Sequence, residues 1–152
     1  MTGRAQRKAA VPLASRHRAR EVAVQMLYQW EVGGLSLTAI RGIWSEVADE
    51  AEPLSQDVAR FAGVLAEGVV EHCEELDPLI SEAAVHWRLE RMNVLDRLVM
   101  RLAVYEFLYE KDTPGSVIIN EALELARSFS SDEAVPFVNG ILDGIRRRLE
   151  RE

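Results

Sequence analysis

Arg4, Arg7, Lys8, Arg16, Arg18 and Arg20 place six cations ahead of the first carboxylate, Glu21. Guanidinium groups grip phosphate through paired N–H donors, so this segment carries the chemistry of a nucleic-acid backbone contact. The net charge of −7 argues the other way if taken as an average. The charge is segregated, however. Beyond residue 20, twelve basic residues face 25 acidic ones, which leaves a −13 body behind a +6 arm. That asymmetry fits a basic tail for RNA or DNA on an acidic domain, and equally a solubilising tail with no ligand.

Spacing adds a second observation. Arg16, Arg20, Val24 and Tyr28 recur every four residues and so fall on one line of a helix. The line lies off the apolar stripe of Ala19, Val22, Ala23, Met26, Leu27 and Trp30, which predicts partial exposure. Glu21 lies within helical reach of Arg18 and leaves Arg16 and Arg20 largely free, and the positive helix N-terminus adds to their pull on an anion. An exposed Tyr28 stacks on a base or anchors a protein; the alternative is packing over its own domain with the hydroxyl in water.

Catalytic chemistry is not legible. Gly33-Gly34 is followed by no lysine and no phosphate-type helix start. His17, His72 and His86 are scattered, and Cys73 has no histidine placed to activate it, so it reads as a small buried hydrophobe. The carboxylates alternate with arginines on solvent faces. No catalytic residue, metal ligand or cofactor is therefore expected. Gly140 and Gly144 read as a close-packing pair, Asn120 and Asn139 as buried structural asparagines, and Arg101 as the partner of Glu106 or Glu121. The Arg146-Arg147-Arg148 run, interleaved with Glu150 and Glu152, reads as a solvated helix end suited to the dipole.

The elements that must position these residues are helical. In 152 residues, 48% of them hydrophobic, there is room for one domain with a sizeable core, here 15–152 behind a flexible basic arm over 1–14. The single cysteine suits a reducing cytoplasm, and neither a membrane span nor a signal peptide is readable, so a cytosolic protein is expected. Ser15 is the predicted cap of a first helix ending at Gly33-Gly34, and Ser36 of a second with Ile40, Ile43, Trp44 and Val47 inward. Ser55 precedes a third with Val58, Phe61, Ala62, Leu65 and Val69 inward. Asp77-Pro78 reads as a cap and first-turn proline opening a short fourth helix to about Val85. Asn93 opens a central helix, apolar around most of its girth, to about Glu110. After the Asp112-Thr113-Pro114-Gly115 turn, Ser116 caps a helix to about Phe129, and a last one runs from about Ala134. About seven helices with short loops give an all-α bundle.

Four blocks of this pattern resemble one family. Residues 15–30, residues 87–106 with Trp87, Arg91, Asp96, Arg101, Tyr105 and Glu106, the Asn120–Phe129 segment, and Phe137–Asp143 are similar, in register, to NusB-family sequences. The stretch of about 35–75 agrees only in helical pattern. The resemblance implies two stacked three-helix subdomains and a transcription antitermination factor without enzymatic activity. Such a factor binds boxA RNA together with NusE, a small-subunit ribosomal protein, and joins RNA polymerase with other Nus factors to support processive transcription of ribosomal RNA operons. Carried over by position, the RNA-binding motif falls on Arg16, His17, Arg18 and Arg20, with His17 where an arginine is common. The NusE surface falls on Tyr28, Glu90, Asp96 and Phe137, whose two carboxylates suit a basic partner. Arg4, Arg7 and Lys8 extend the basic arm beyond the family's usual length. Some family members form homodimers that cover the RNA face, which the sequence leaves open. A NusB-like domain also precedes the catalytic domain of some ribosomal-RNA cytosine methyltransferases; no cofactor-binding domain follows in these 152 residues, so methylation by this chain alone is not expected.

Overall fold

Leu13 and Ala14 are strong helix formers, and helix α1 (Leu13–Glu31) begins with them, so Ser15 lies inside the helix instead of capping it. The computed structural model describes residues 13–50 and 56–152, with side chains over 15–46 and 56–152. Residues 1–12 of the expected arm, with Arg4, Arg7 and Lys8, and Ser55 lie outside the described residues. The predicted stripe is the buried face of α1 as far as Leu27: Ala19, Val22, Ala23, Met26 and Leu27 are all closed to solvent, whereas Trp30 is half-buried. The glycine stop holds as well. Val32 N–H donates to the Tyr28 carbonyl at 2.9 Å and Leu35 N–H to that of Gln29 at 3.4 Å, with Gly34 at φ +72°. Only a residue without Cβ adopts that left-handed turn at no steric cost.

Ser36 Oγ accepts from Ala39 N–H at 3.2 Å, capping helix α2 (Leu37–Glu50) as its sequence predicts. Ile40 is fully buried and Trp44 Nε1 donates to Gln29 Oε1 at 2.8 Å, which ties α2 to α1. Ile43, predicted inward, is 46% exposed, because the buried face of this short helix turns on Ile40 alone among its described apolar side chains. The side chain of Val47 lies outside the described residues. Helix α3 (Gln56–Ala83) supplies Val58, Ala62 and Leu65 to the core, and Arg41 pairs with Glu67 at 3.0 Å. These elements make the first of two compact units, up to Glu67; the second runs from Gly68.

Asp77-Pro78 does not open a new helix. Pro78 lies within α3, which continues to Ala83. Its missing N–H deprives the helix of one backbone bond, but Leu76 and Ile80 on either side are fully buried, and that packing holds the helix together. Asp77 cannot cap, since its carboxylate accepts two bonds from Arg101, from Nε at 2.8 Å and from Nη2 at 2.9 Å. Asp77 therefore grips Arg101 with both carboxylate oxygens, a partner additional to the expected Glu106 or Glu121; Arg101, Glu106 and Glu121 each have a further interaction. Merging two expected helices into one leaves six α-helices among the described residues, plus a 3₁₀ turn at Leu89–Arg91.

Asn93 Oδ1 accepts from Leu95 N–H at 2.8 Å and starts helix α4 (Val94–Tyr109), whose residues 98–107 are all buried. It is the centre of the second unit, packed against α5 (Gly115–Phe129) and α6 (Ala134–Arg148), which also pack on each other. Helix α5 begins at Gly115, ahead of the predicted Ser116 cap; Pro114 takes the cap position without a side-chain bond. Asn120 and Asn139 are exposed, not buried, and a Cβ on Gly140 or Gly144 would meet open space, so neither reading of those pairs survives. Gly68 is a glycine that packing requires, since a Cβ there would collide with the Tyr105 ring.

The C-terminus is anchored by Arg151. Its guanidinium donates to the carbonyls of Phe107 at 2.8 Å, Glu110 at 3.2 Å and Thr113 at 2.7 Å, satisfying the last turn of α4, which no capping side chain covers. Gly115 N–H donates to the Glu152 carbonyl beside it. Arg151→Ala is therefore expected to lower the unfolding free energy by about 2 kcal/mol. Urea denaturation monitored by far-ultraviolet circular dichroism checks this, with Arg151→Lys recovering only part of the loss.

Candidate nucleic-acid and partner interface

Helix α1 has no acidic residue in its first turn, and Arg16, His17 and Arg18 crowd the end where its dipole is already positive. All three are half-buried. A single carboxylate serves two of them: Glu21 lies 3.3 Å from Arg18 Nη1 and 3.4 Å from His17 Nε2. Such partly solvated pairs contribute little to stability. A fold selected for stability alone places acids, not three cations, at this end. An anion brought to the N-terminus relieves the repulsion.

The predicted line splits along its length. Tyr28, 40% exposed, stands at the surface as predicted, but Arg20 is only 4% exposed and Val24 is fully buried. A four-residue step drifts by some 40° per turn relative to the helix, so a line that starts at the surface crosses the apolar face. Nor are Arg16 and Arg20 free: each has an interaction of its own. Arg20 is thus buried and not part of the exposed cationic surface.

In the second unit the expected partner residues occupy three different environments. Glu90, on the 3₁₀ turn, is strongly exposed and pairs loosely with Arg88 at 3.6 Å. Phe137 is half-buried on α6 and receives the Trp87 ring edge-on, centroids 5.9 Å apart at 77°. Asp96 is 8% exposed in the first turn of α4, where the helix dipole favours a carboxylate. Trp87 touches Phe137 and lines one groove with Glu90, whereas Asp96 lies beneath the surface. Sequence reasoning singles out Trp87 only as part of a matching block; an aromatic in a polar loop, outside any helical stripe, is the available sign of a surface role.

Two further clusters combine pairs at helical spacing with contacts between helices. Asp143 holds both Arg146 at 2.7 Å and Arg147 at 2.8 Å, and Arg148 pairs with Glu82, so the C-terminal arginines are largely occupied by the protein's own acids. The Arg146 hydrogen bond, aided by Arg147, pulls the Asp143 carboxyl below its ordinary range. On α3 and α4, His72 stacks on Tyr109 with centroids 4.4 Å apart, and Tyr109 donates to Glu75 at 2.5 Å. That hydrogen bond, with desolvation and the Glu75 charge, raises the Tyr109 phenol above its usual value of about 10. A raised folded-state value means the contribution to stability is present below about pH 10 and is lost as the pH rises through the folded-state value. Ultraviolet titration of Tyr109 should shift to lower pH in Glu75→Gln, and an unmoved curve would show that the hydrogen bond is not the cause.

Among the described residues no helix is long and apolar enough to cross a membrane, and no three His, Cys, Asp or Glu side chains are grouped to hold a metal. Cys73 is partly exposed, not the buried hydrophobe expected. What the fold and the charge define is an all-helical protein of two compact units with a cationic leading helix. The chain belongs to the NusB family, whose model matches residues 17–147. It is 41% identical over 143 residues to the transcription antitermination protein NusB of Koribacter versatilis, covering 93% of this chain and 95% of that one. Among solved structures it is similar to T. maritima NusB, with a TM-score of 0.74 at 35% identity over 87% of this chain and 90% of that one. It is also similar to a chain from a crystal structure of the antitermination factors NusB and NusE in complex with double-stranded RNA. There the TM-score is 0.76 at 26% identity, over 90% of this chain and 99% of the other.

Proposed function

We propose that this protein is a cytoplasmic, non-enzymatic transcription antitermination factor that binds boxA RNA together with NusE. In that role it joins RNA polymerase and other Nus factors and supports processive transcription of ribosomal RNA operons. The observation that carries the reading is the cationic start of α1, where Arg16, His17 and Arg18 load the positive end of a helix dipole and two of them share one carboxylate. Membership of the family, and its relative solved with NusE and RNA, support the same reading.

Arg16, His17 and Arg18 meet phosphates, with Arg4, Arg7 and Lys8 ahead of the helix widening the footprint; Arg20 of the same helix is buried. The −13 body repels RNA elsewhere and confines it to this end. Tyr28, Glu90 and Phe137 face NusE, and Asp96 contributes negative potential from below the surface. Residues 15–152 act as one RNA-binding domain in this reading.

Titration with a boxA-like RNA, with and without NusE, tests the proposal. Affinity is expected to rise when NusE is present, and Tyr28→Ala is expected to remove most of that gain while leaving the fold and the NusE-free affinity unchanged. Equal RNA affinity with and without NusE would refute cooperative binding.

A further inference from the structure

Val85 and Trp87 are 78% and 57% exposed, the two most exposed large hydrophobic side chains of the second unit. They stand together in the connection between α3 and α4, beside a groove that Ala84, Leu89 and Glu90 also line. A tryptophan more than half in water, next to an exposed valine, adds little to its own fold; such side chains are the ones that dominate protein–protein contacts when covered. The loop that carries them is not slack. Trp87 N–H donates to the Ala84 carbonyl at 3.2 Å, and Met92 N–H to that of Leu89 at 3.2 Å. From α4, Arg97 Nη1 reaches the Leu89 carbonyl at 3.1 Å and the Met92 carbonyl at 3.4 Å. A preformed loop loses little entropy on binding.

We infer that this groove is an anchor point for the ribosomal-protein partner, with Trp87 the dominant contact and Val85 its lip, taking an apolar or aromatic side chain of that partner. The inference rests on the proposed NusE reading and extends it to residues outside the set carried over from the family. Two observations choose the occupant. Phe137 abuts the Trp87 ring, and Glu90 lines the groove, so the groove is continuous with the proposed partner face. The charges at the rim, Arg88 and Glu90, oppose each other at 3.6 Å, leaving little net field to draw phosphate. Recognition here is apolar, as the centre of a protein interface is, with the surrounding charges setting register.

Trp87→Ala is expected to weaken NusE binding by about 30-fold, the loss typical of a central tryptophan. Val85→Lys, at a site too exposed to disturb folding, is expected to weaken it by several-fold. Isothermal titration calorimetry with purified NusE reads both, alongside RNA affinity without NusE and sedimentation of the protein alone. Normal NusE binding by both variants, while Phe137→Ala weakens it, would overturn the anchor and leave the proposed function standing. Normal binding by Tyr28→Ala and Phe137→Ala as well would remove the partner face itself. A drop in NusE-free RNA affinity would make Trp87 a base-stacking platform, and a change in self-association would make the occupant a second copy; either result overturns the inference.

Discussion

Asp77→Ala should lower the unfolding free energy by about 3 kcal/mol, among the largest losses any single substitution outside the apolar core produces here. Arg101 lies on the central helix with its side chain 9% exposed, and Asp77 holds it through both carboxylate oxygens. Removing the carboxylate takes two charge-assisted hydrogen bonds from a guanidinium in a poorly solvated site, and the penalty comes mainly from that loss. Asp77 is itself 28% exposed, which admits some water and keeps the figure at the low end of the range for buried pairs. The sharper expectation is non-additivity. Combining Asp77→Leu with Arg101→Met should recover most of the stability, because two packed apolar groups replace a desolvated pair. Guanidinium denaturation of the single and double variants measures this, and additive losses would show that the pair is not acting as a unit.

Joint replacement of Arg16 and Arg18 by Ala should reduce RNA affinity by roughly tenfold or more while changing stability by less than about 1 kcal/mol. Both directions follow from one geometry. The two side chains project from the start of α1, where the helix dipole opposes them, and Arg18 pairs with Glu21 at 3.3 Å across a partly solvated gap. Losing them removes dipole repulsion together with the partly solvated interactions of Arg16 and Arg18, small and opposed effects on folding. RNA loses two bidentate phosphate ligands with nothing to offset them. Equilibrium binding at one low salt concentration, paired with thermal unfolding, separates the two effects. Stability falling in step with affinity would instead make these arginines part of the scaffold.

How far the sequence reveals this fold depends on whether the signal is local. The apolar stripe of α1, the Gly33-Gly34 stop, the Ser36 cap and the Asn93 cap are all decided within one or two turns, and each is found as its residues predict. Pro78 misleads because a proline's local meaning, a helix start, is overridden by Leu76 and Ile80 packing on both sides of it. The Asp77–Arg101 pair is missed for a related reason: its two residues lie 24 apart on different helices, beyond any periodicity. Asn120 and Asn139 sit within apolar-looking stretches but on outward positions, and a string of letters does not distinguish an inward from an outward residue at a helix margin.

The candidate site is half legible in the same sense. Segregated charge is legible in the sequence as such, and the tyrosine near the end of the first helix is exposed as expected. Arg20 is not legible as a buried side chain, because an arginine four residues from another reads as its surface neighbour until helix drift is taken into account. The Trp87–Phe137 contact joins a loop to a helix about fifty residues on, and only the folded chain brings the two rings together.

The most direct measurement is the salt dependence of boxA binding, in the presence of NusE, for the intact protein and for a variant with Arg4, Arg7, Lys8, Arg16 and Arg18 all changed to Gln. Each phosphate no longer neutralised should take about 0.7 off the slope of log affinity against log salt, so the variant's slope should be much flatter. Superimposable slopes would mean that those cations do not touch the transcript, and that it is bound elsewhere on the protein.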